Sequence, residues 1–430
     1  MSVRRSSPVY SNMVSFYNFL VYLLAYIGLY LLSFYILSYY RVRRHFVSLE
    51  ASDKKVSIII PAYNEERSIA RTIDSALSIS YPRDKLEIIV VDDGSRDDTY
   101  RIARTFENKG VRVFTKKNGG KGSALNLGIS KAQGELILTM DADTFAEPSS
   151  LKQMAAYFSD NGVMAASAGP RIYRPKTVWQ RIQHVEYYLG LFLRKTFSSF
   201  NALYITPGAF SLYRKSFFDR YGGYDEHNIT EDLEIALRIQ SHDYLIAYAQ
   251  KASFFTIAPA RFRELMVQRR RWYTGLIKNL WAYRKRIFGF KRGALGMVIL
   301  PTMLIGTFLS IASVIYLLIN ALRGLADELA FLKAVNFQFT NAYELNSYMV
   351  SRVFYSLFSH PIFLLTVFFI FVSAMYLLYA RKQLRFNEPL KINFILFLGL
   401  YSFLFAFWWI ISSFYLIFNK RVIWGEKRHA

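Results

Sequence analysis

Residues 136–140 are apolar or uncharged throughout, and the run stops at two carboxylates one residue apart, Asp141 and Asp143. A short apolar run bounded in this way reads as a buried strand. Ligands of open α/β sheets bind where strands finish. Aspartate is disfavoured inside strands and costly to bury alone, so the pair needs water or a cation. Two readings stand at this point. The pair is a solvated strand end, or it anchors a hard divalent cation that also holds a diphosphate.

The same pattern recurs upstream. Residues 56–61 form a buried strand, followed by a loop with Tyr63, Asn64, Glu65 and Glu66. Residues 68–80 read as a helix that Tyr81 and Pro82 break. A second strand, 86–91, ends in Asp92, Asp93, Gly94 and Ser95, and 97–109 are helical. A short strand at 111–114 leads to a basic, glycine-rich loop, 116–122, and a helix at 123–132. Strands alternating with helices predict a mostly parallel, doubly wound α/β sheet whose acidic and glycine-rich loops share one edge.

After residue 148 the alternation loosens. Gly169, Pro170 and Arg171, and then Pro207, Gly208 and Ala209, read as Gly/Pro loops. Between them, 178–197 places Trp179, Ile182, Glu186, Leu189 and Leu193 at helical spacing. That helix either lies on a membrane surface or is a half-buried surface helix. Thr230, Glu231 and Asp232 open a helix over 233–241, where acidic residues also suit the helix dipole. Residues 261–286 are strongly basic with interleaved aromatics, and Gln268, Arg271 and Trp272 share one helical face.

Apolar stretches flank this region. Residues 14–37, 294–322, 361–380 and 394–418 are each long enough to cross a bilayer, which takes about 20 residues. Pro301 and Gly306 are tolerable kinks in such a helix. Arg41, Arg43 and Arg44 follow the first stretch, whereas 323–359 are poor in Lys and Arg. The positive-inside rule then puts 41–293 in the cytoplasm and, with four spans, the C-terminus outside; Lys420, Arg421, Lys427 and Arg428 oppose that last step. The expected organisation is an N-terminal membrane helix (1–40), a cytoplasmic domain (41–260), basic interfacial helices (261–292) and a C-terminal membrane region (293–430). The absence of Cys excludes disulfides, zinc–thiolate sites and thiol nucleophiles, and the 6 His show no metal-ligand spacing.

Chemistry is legible where these pieces combine. Lys121 sits between Gly120 and Gly122, where backbone can approach a phosphate closely. A metal and Lys121 would offset the charge of a nucleoside diphosphate leaving a sugar. Asp232 is the candidate base for an acceptor hydroxyl. Arg271 offers a fixed positive charge to a diphosphate, and Trp272 a flat surface for a sugar.

The order of Val56 to Glu66, Asp92-Asp93-Gly94-Ser95, Asp141-Ala-Asp143, Thr230-Glu231-Asp232 and Gln268-X-X-Arg271-Trp272 resembles the family-2 processive membrane glycosyltransferases. These include synthases of hyaluronan, chitin, poly-N-acetylglucosamine and cellulose. The resemblance implies a GT-A-type, Rossmann-like nucleotide-sugar-binding domain inserted between membrane helices, one before and about three after. It implies Tyr63, Glu65, Asp92 and Asp93 on the uridine part of a UDP-sugar, Lys121 on its diphosphate, Asp141 on the diphosphate or ribose side, and Asp143 on Mg2+ or Mn2+. By the same resemblance Asp232 is the catalytic base. Gln268, Arg271 and Trp272 hold the donor diphosphate and the acceptor, and Gly169, Pro170, Arg171, Pro207 and Gly208 line the acceptor site. The single N-terminal span is more similar to rhizobial chitooligosaccharide synthases than to relatives with two.

The expected protein is therefore a multi-pass enzyme of the cell membrane that transfers a sugar, N-acetylglucosamine being favoured, to a growing β-linked glycan exported through its helices. The alternative is transfer of one sugar to polyprenyl phosphate or another lipid acceptor. The basic stretch 261–286 would also suit a polyanion, but no nucleic-acid module accompanies it, and phosphate, glycan and lipid headgroups account for it. No nucleic-acid partner is expected.

Overall fold

The structure is a computed structural model that describes residues 54–334, 336–337, 361–383, 391–418, isolated positions between 18 and 37, and 351, 354 and 355. Part of the first expected span, its basic flanks, most of 323–359 beyond residue 337 and the C-terminal basic residues lie outside the described residues. By packing, the chain divides into Ser38–Pro301 with Ile411–Ala430, and Met1–Leu37 with Thr302–Ile410.

The first of these units is built on an eight-stranded sheet. Its strands are β1 (Val56–Ala62), β2 (Leu86–Asp92), β3 (Val111–Thr115), β4 (Leu136–Met140), β5 (Thr144–Ala146), β6 (Val163–Ile172), β7 (Phe210–Arg214) and β8 (Leu245–Thr256), in the order β3-β2-β1-β4-β7-β6-β8-β5. Side chains alternate across a strand. Ile58, Ile60, Val90 and Leu138 therefore enter one core and Ile59, Ile89, Val91 and Ile137 the other. The first core is closed by α1 (Ile69–Leu77) and α4 (Ser150–Ala155), the second by α3 (Lys121–Lys131) and α7 (Glu231–Ser241). Helices α2 (Thr99–Arg104), α5 (Val178–Ser199), α6 (Lys215–Tyr221) and α8 (Phe262–Ile287) also belong to this unit.

Three expectations need correction. The sheet is mixed rather than mostly parallel: β1–β2, β1–β4 and β2–β3 pair parallel, but β7 runs antiparallel to both β4 and β6. Gly169, Pro170 and Arg171 lie inside β6, not in a loop. A register shift between Ser167 and Gly169 lets the strand admit Pro170 opposite Phe254. The helix expected over 97–109 is α2 followed by a separate 3-10 turn, Glu107–Lys109.

The topology still gathers the predicted loops. In register, Ala62, Asp92 and Thr115 lie side by side, so the loops after β1, β2 and β3 leave one edge. Antiparallel β7 starts at that edge, placing Gly208 and Ala209 beside Asp141, whose N–H donates to Ala209 O (3.0 Å). Strand β6, antiparallel to β7, brings its C-terminal Gly169, Pro170 and Arg171 to the same edge.

Helix α9 (Leu300–Ala334), most of which lies in the other unit, follows a π-helical turn, Leu295–Ile299. The turn sits where Pro301 brings no backbone N–H to the ladder. Together, Leu295–Ala334 is the one helix among the described residues long and apolar enough to cross a membrane. Helices α10 (Pro361–Gln383) and α11 (Lys391–Ile417) coincide with the later apolar stretches. Within α11, Asn393–Tyr401 and Phe403–Ile417 reach that length only together, across a 42° bend.

Candidate active site

The loops after β1 and β2 are bound to each other. Asn64 takes a left-handed backbone, φ 55°, a conformation in which Asn is enriched. Its N–H donates to Ser95 Oγ (3.0 Å), and its side-chain oxygen accepts from Arg96 N (2.9 Å). Glu65 N–H donates to Thr99 Oγ1 (2.7 Å), and its carboxylate accepts from Ser68 Oγ (2.6 Å). These bonds hold Tyr63 and Glu65 beside the Asp92–Ser95 turn.

Asp92 and Asp93 are both buried, and their surroundings differ. Asp92 accepts from Ser95 N (3.3 Å) and Thr115 Oγ1 (2.9 Å), so it ties its own turn to β3. Asp93 accepts from Lys116 Nζ (3.0 Å), Gly119 N (3.0 Å) and Gly120 N (2.8 Å). It therefore shapes the glycine loop. Gly120 sits at φ +89°, a backbone that L side chains rarely adopt, and from it α3 begins directly at Lys121. Lys121 is thus the first residue of a helix rather than part of a free loop.

The centre of the site is a charge cluster. Lys121 Nζ bridges Asp141 Oδ1 (2.8 Å) and Glu231 Oε1 (2.9 Å). Burial disfavours its charge, but Asp141, Glu231 and Asp232 outweigh that and hold the ammonium well above the ordinary lysine range. Asp232 Oδ2 accepts from Gly208 N (3.1 Å), and Oδ1 accepts from Leu233 N (2.9 Å), as the first turn of a helix allows. Burial, and then the Glu231 carboxylate, push the Asp232 carboxyl above its ordinary value, against Lys121, the Gly208 amide and Arg271. Gly208 lies between the two halves of this cluster. A Cβ there would meet Lys121 Nζ at 2.9 Å and Asp232 Cβ at 3.1 Å.

On α8, Arg269 is buried and makes a two-pronged pair with Glu186 of α5 (2.7 and 2.6 Å). Its guanidinium also covers the Trp272 ring, 4.5 Å from the centroid. Gln268 Oε1 and Arg271 Nε are buried without a hydrogen-bond partner among the described residues. Glu186 makes α5 a partner of α8.

The sequence-predicted residues thus fall into groups. Lys121, Asp141, Asp232 and Gly208 are together, and Arg271 is near enough to act on Asp232. Tyr63, Glu65, Asp92 and Asp93 lie in the two adjoining loops. Gly169 is packed instead against Leu191 and Tyr248, where a Cβ would meet them at 3.0 and 3.1 Å. Arg171 lies over Phe255, 6.0 Å from the ring centroid. Sequence reasoning missed Glu231 and Lys116. A helix dipole explains acidic residues in an exposed first turn; a buried one such as Glu231 needs a cation, and that burial was the missing signal.

No group of three or more His, Asp or Glu that would cage a metal occurs among the described residues. Asp143 is 8% exposed and stands two residues from Asp141 at the sheet edge. Such a donor set fits a Mg2+-like cation, which takes one or two carboxylates and completes its shell with substrate phosphates and water.

Comparison with known proteins agrees with this architecture. Residues 57–222 match the profile of Glycosyl transferase family 2. A poly-beta-1,6-N-acetyl-D-glucosamine synthase of Staphylococcus epidermidis is 32% identical over 236 residues, 53% of this chain and 57% of the relative. The synthase of the same name from Staphylococcus aureus strain COL is 29% identical over 225 residues, 51% of this chain and 54% of the relative. The chain thus spans little more than half the length of the curated relatives it matches. Among solved structures, a mannosyltransferase from Pyrobaculum calidifontis in complex with GDP-Man and Mn2+ has a TM-score of 0.54 at 19% identity. It covers 93% of this chain and 100% of its own, and shares the fold.

Proposed function

We propose that this chain, whose residues 57–222 match the profile of Glycosyl transferase family 2, moves N-acetylglucosamine from UDP-N-acetylglucosamine to the growing end of a β-linked polysaccharide. The observation that carries the reading is the single cluster formed by Lys121, Asp141, Glu231, Gly208 and Asp232. It sets a buried cation for a leaving diphosphate beside a carboxylate of raised basicity. Nothing bulkier than the Gly208 backbone separates the two.

In this reading the uridine lies against the Tyr63, Glu65 and Asp93 loops. Asp143, with Asp141 beside it, would hold a divalent cation, which neutralises diphosphate charge when bound. Lys121 adds its ammonium to the same oxygens. Asp232 takes the proton of the acceptor hydroxyl as that oxygen attacks the anomeric carbon from the face opposite the diphosphate. The new C–O bond forms as the old one breaks, so configuration inverts and UDP leaves. Gln268 and Arg271 present buried polar atoms that a diphosphate or sugar would satisfy. Trp272 has one face under Arg269, so a sugar would stack on the other.

The resemblance and the apolar helices support an integral, multi-pass enzyme with residues 41–293 in the cytoplasm and with product leaving through the membrane region. The test uses the full chain in nanodiscs with a panel of UDP-sugars and Mg2+ or Mn2+. UDP release with UDP-N-acetylglucosamine and a product that lengthens with time support the proposal. A single sugar on a lipid acceptor would replace it with the non-processive reading.

A further inference from the structure

Along α8, Arg271, Gly275, Asn279 and Tyr283 recur at every fourth residue and so lie on one face. That face meets α7 and the loop leading into it. Gly275 is packed so closely on Thr230, the residue before α7, that a Cβ on it would lie 2.8 Å from Thr230 Cβ and inside the rest of that side chain. One turn on, Asn228 Nδ2 donates to Asn279 Oδ1 (2.8 Å). Asn279 Nδ2 in turn donates to Asn228 Oδ1 (3.1 Å) and Thr230 Oγ1 (3.0 Å). A further turn on, the Tyr283 hydroxyl donates to Glu234 of α7.

The same loop is fastened at its other end to α3, the helix that Lys121 opens. Asn126 Nδ2 donates to Tyr224 O (2.9 Å), and Tyr224 N–H donates to Asn126 Oδ1 (2.7 Å). The segment that delivers Asp232 is thus pinned between the helix of Lys121 and the helix of Arg271. Thr230 makes no side-chain cap to α7; its hydroxyl is turned to α8 instead. Glycine inside a helix is less favourable than alanine, and close approach accounts for it at Gly275. A hydrogen-bonded amide pair with one member, Asn279, buried is likewise specific in a way that an apolar contact is not.

We propose that Gly275 and Asn279 are positioning residues that lock α8 to the N-terminus of α7, so that Arg271 and the Asp232 carboxylate are presented to the substrates as one unit. This rests on the reading of Asp232 as the base. Neither residue is placed to touch donor or acceptor. Their effect is on the geometry of the transfer step, and misplacement by about 1 Å at a reacting group costs on the order of 100-fold in rate.

The experiment measures kcat and KM for UDP-N-acetylglucosamine, and the Kd of UDP, on the full chain in nanodiscs. Gly275→Ala is expected to lower kcat by about 10- to 100-fold while the Kd of UDP stays within about threefold. Asn279→Ala, which only removes atoms, should show the same split and carries the test alone if Gly275→Ala does not fold. Parental kcat in both single variants, or an equal loss of UDP binding, overturns the inference. Asp232→Asn is measured alongside. If it turns over at the parental rate, the base reading fails; if it is inactive while Gly275→Ala and Asn279→Ala are unimpaired, the positioning inference alone fails.

Discussion

At the scale of single residues, two carboxylates next to each other have different work. Glu231 holds Lys121, whereas Asp232 faces Gly208 and stays available to a proton. Asp232→Asn keeps the shape and removes the base, so transfer should fall by at least about 100-fold while UDP still binds; undiminished polymer synthesis would show that another group takes the proton. The pH dependence follows from the sign of the shift. The base must be ionised, and its pKa lies above the ordinary 3.8, so kcat/KM falls on acidification at a higher pH than an exposed aspartate would give. After burial, Glu231 is the largest cause raising it. Glu231→Gln should therefore move that acid limb to lower pH, read from the kcat/KM profile; a limb that stays put or rises contradicts the assignment. At the cation site, Asp143→Ala should abolish both activity and the response to Mg2+ or Mn2+. Parental turnover in EDTA would remove the metal from the scheme.

At the scale of elements, α5 and α8 are joined by the buried Arg269–Glu186 pair. Glu186→Gln takes the anionic partner from a guanidinium that is 2% exposed, a change that costs about 3 kcal/mol or more. It should lower the unfolding midpoint of the full chain, and an unchanged midpoint would mean the pair contributes no net stability. The elements themselves were largely legible. β1 and β4 are buried on both faces, as is β2 from Ile88 onward, and their sequences are dominated by apolar residues. Strand β6 was not, because Gly169 and Pro170 are ordinary signals of a loop; what admits them is a register shift against β8, set by a strand some eighty residues away. The antiparallel β7 was hidden for a similar reason, since its direction is fixed by pairing with β4 rather than by its own five residues. In the site, Lys121 was visible by its glycine neighbours, but its two carboxylate partners lie on other elements, and only the fold brings them within 3 Å.

At the scale of the whole molecule, a net charge of +23 accompanies long apolar segments, and the two together predict sidedness. Leu304, Ile305, Phe308, Ile315 and Leu322 on α9 are exposed, as residues facing lipid would be. The chain contains no Cys, so a single introduced thiol is a unique label. Lys109 is exposed on the sheet-bearing unit, and Asn336 follows α9. If residues 41–293 are cytoplasmic and Leu295–Ala334 crosses the bilayer, Lys109→Cys in cells should react with a membrane-impermeant maleimide only after permeabilisation. Asn336→Cys should react in intact cells. Labelling of Lys109→Cys in intact cells would invert the orientation and place the transfer site away from cytoplasmic UDP-sugars. Protection of both positions until permeabilisation would mean that Leu295–Ala334 does not span, and export through these helices would lose its route.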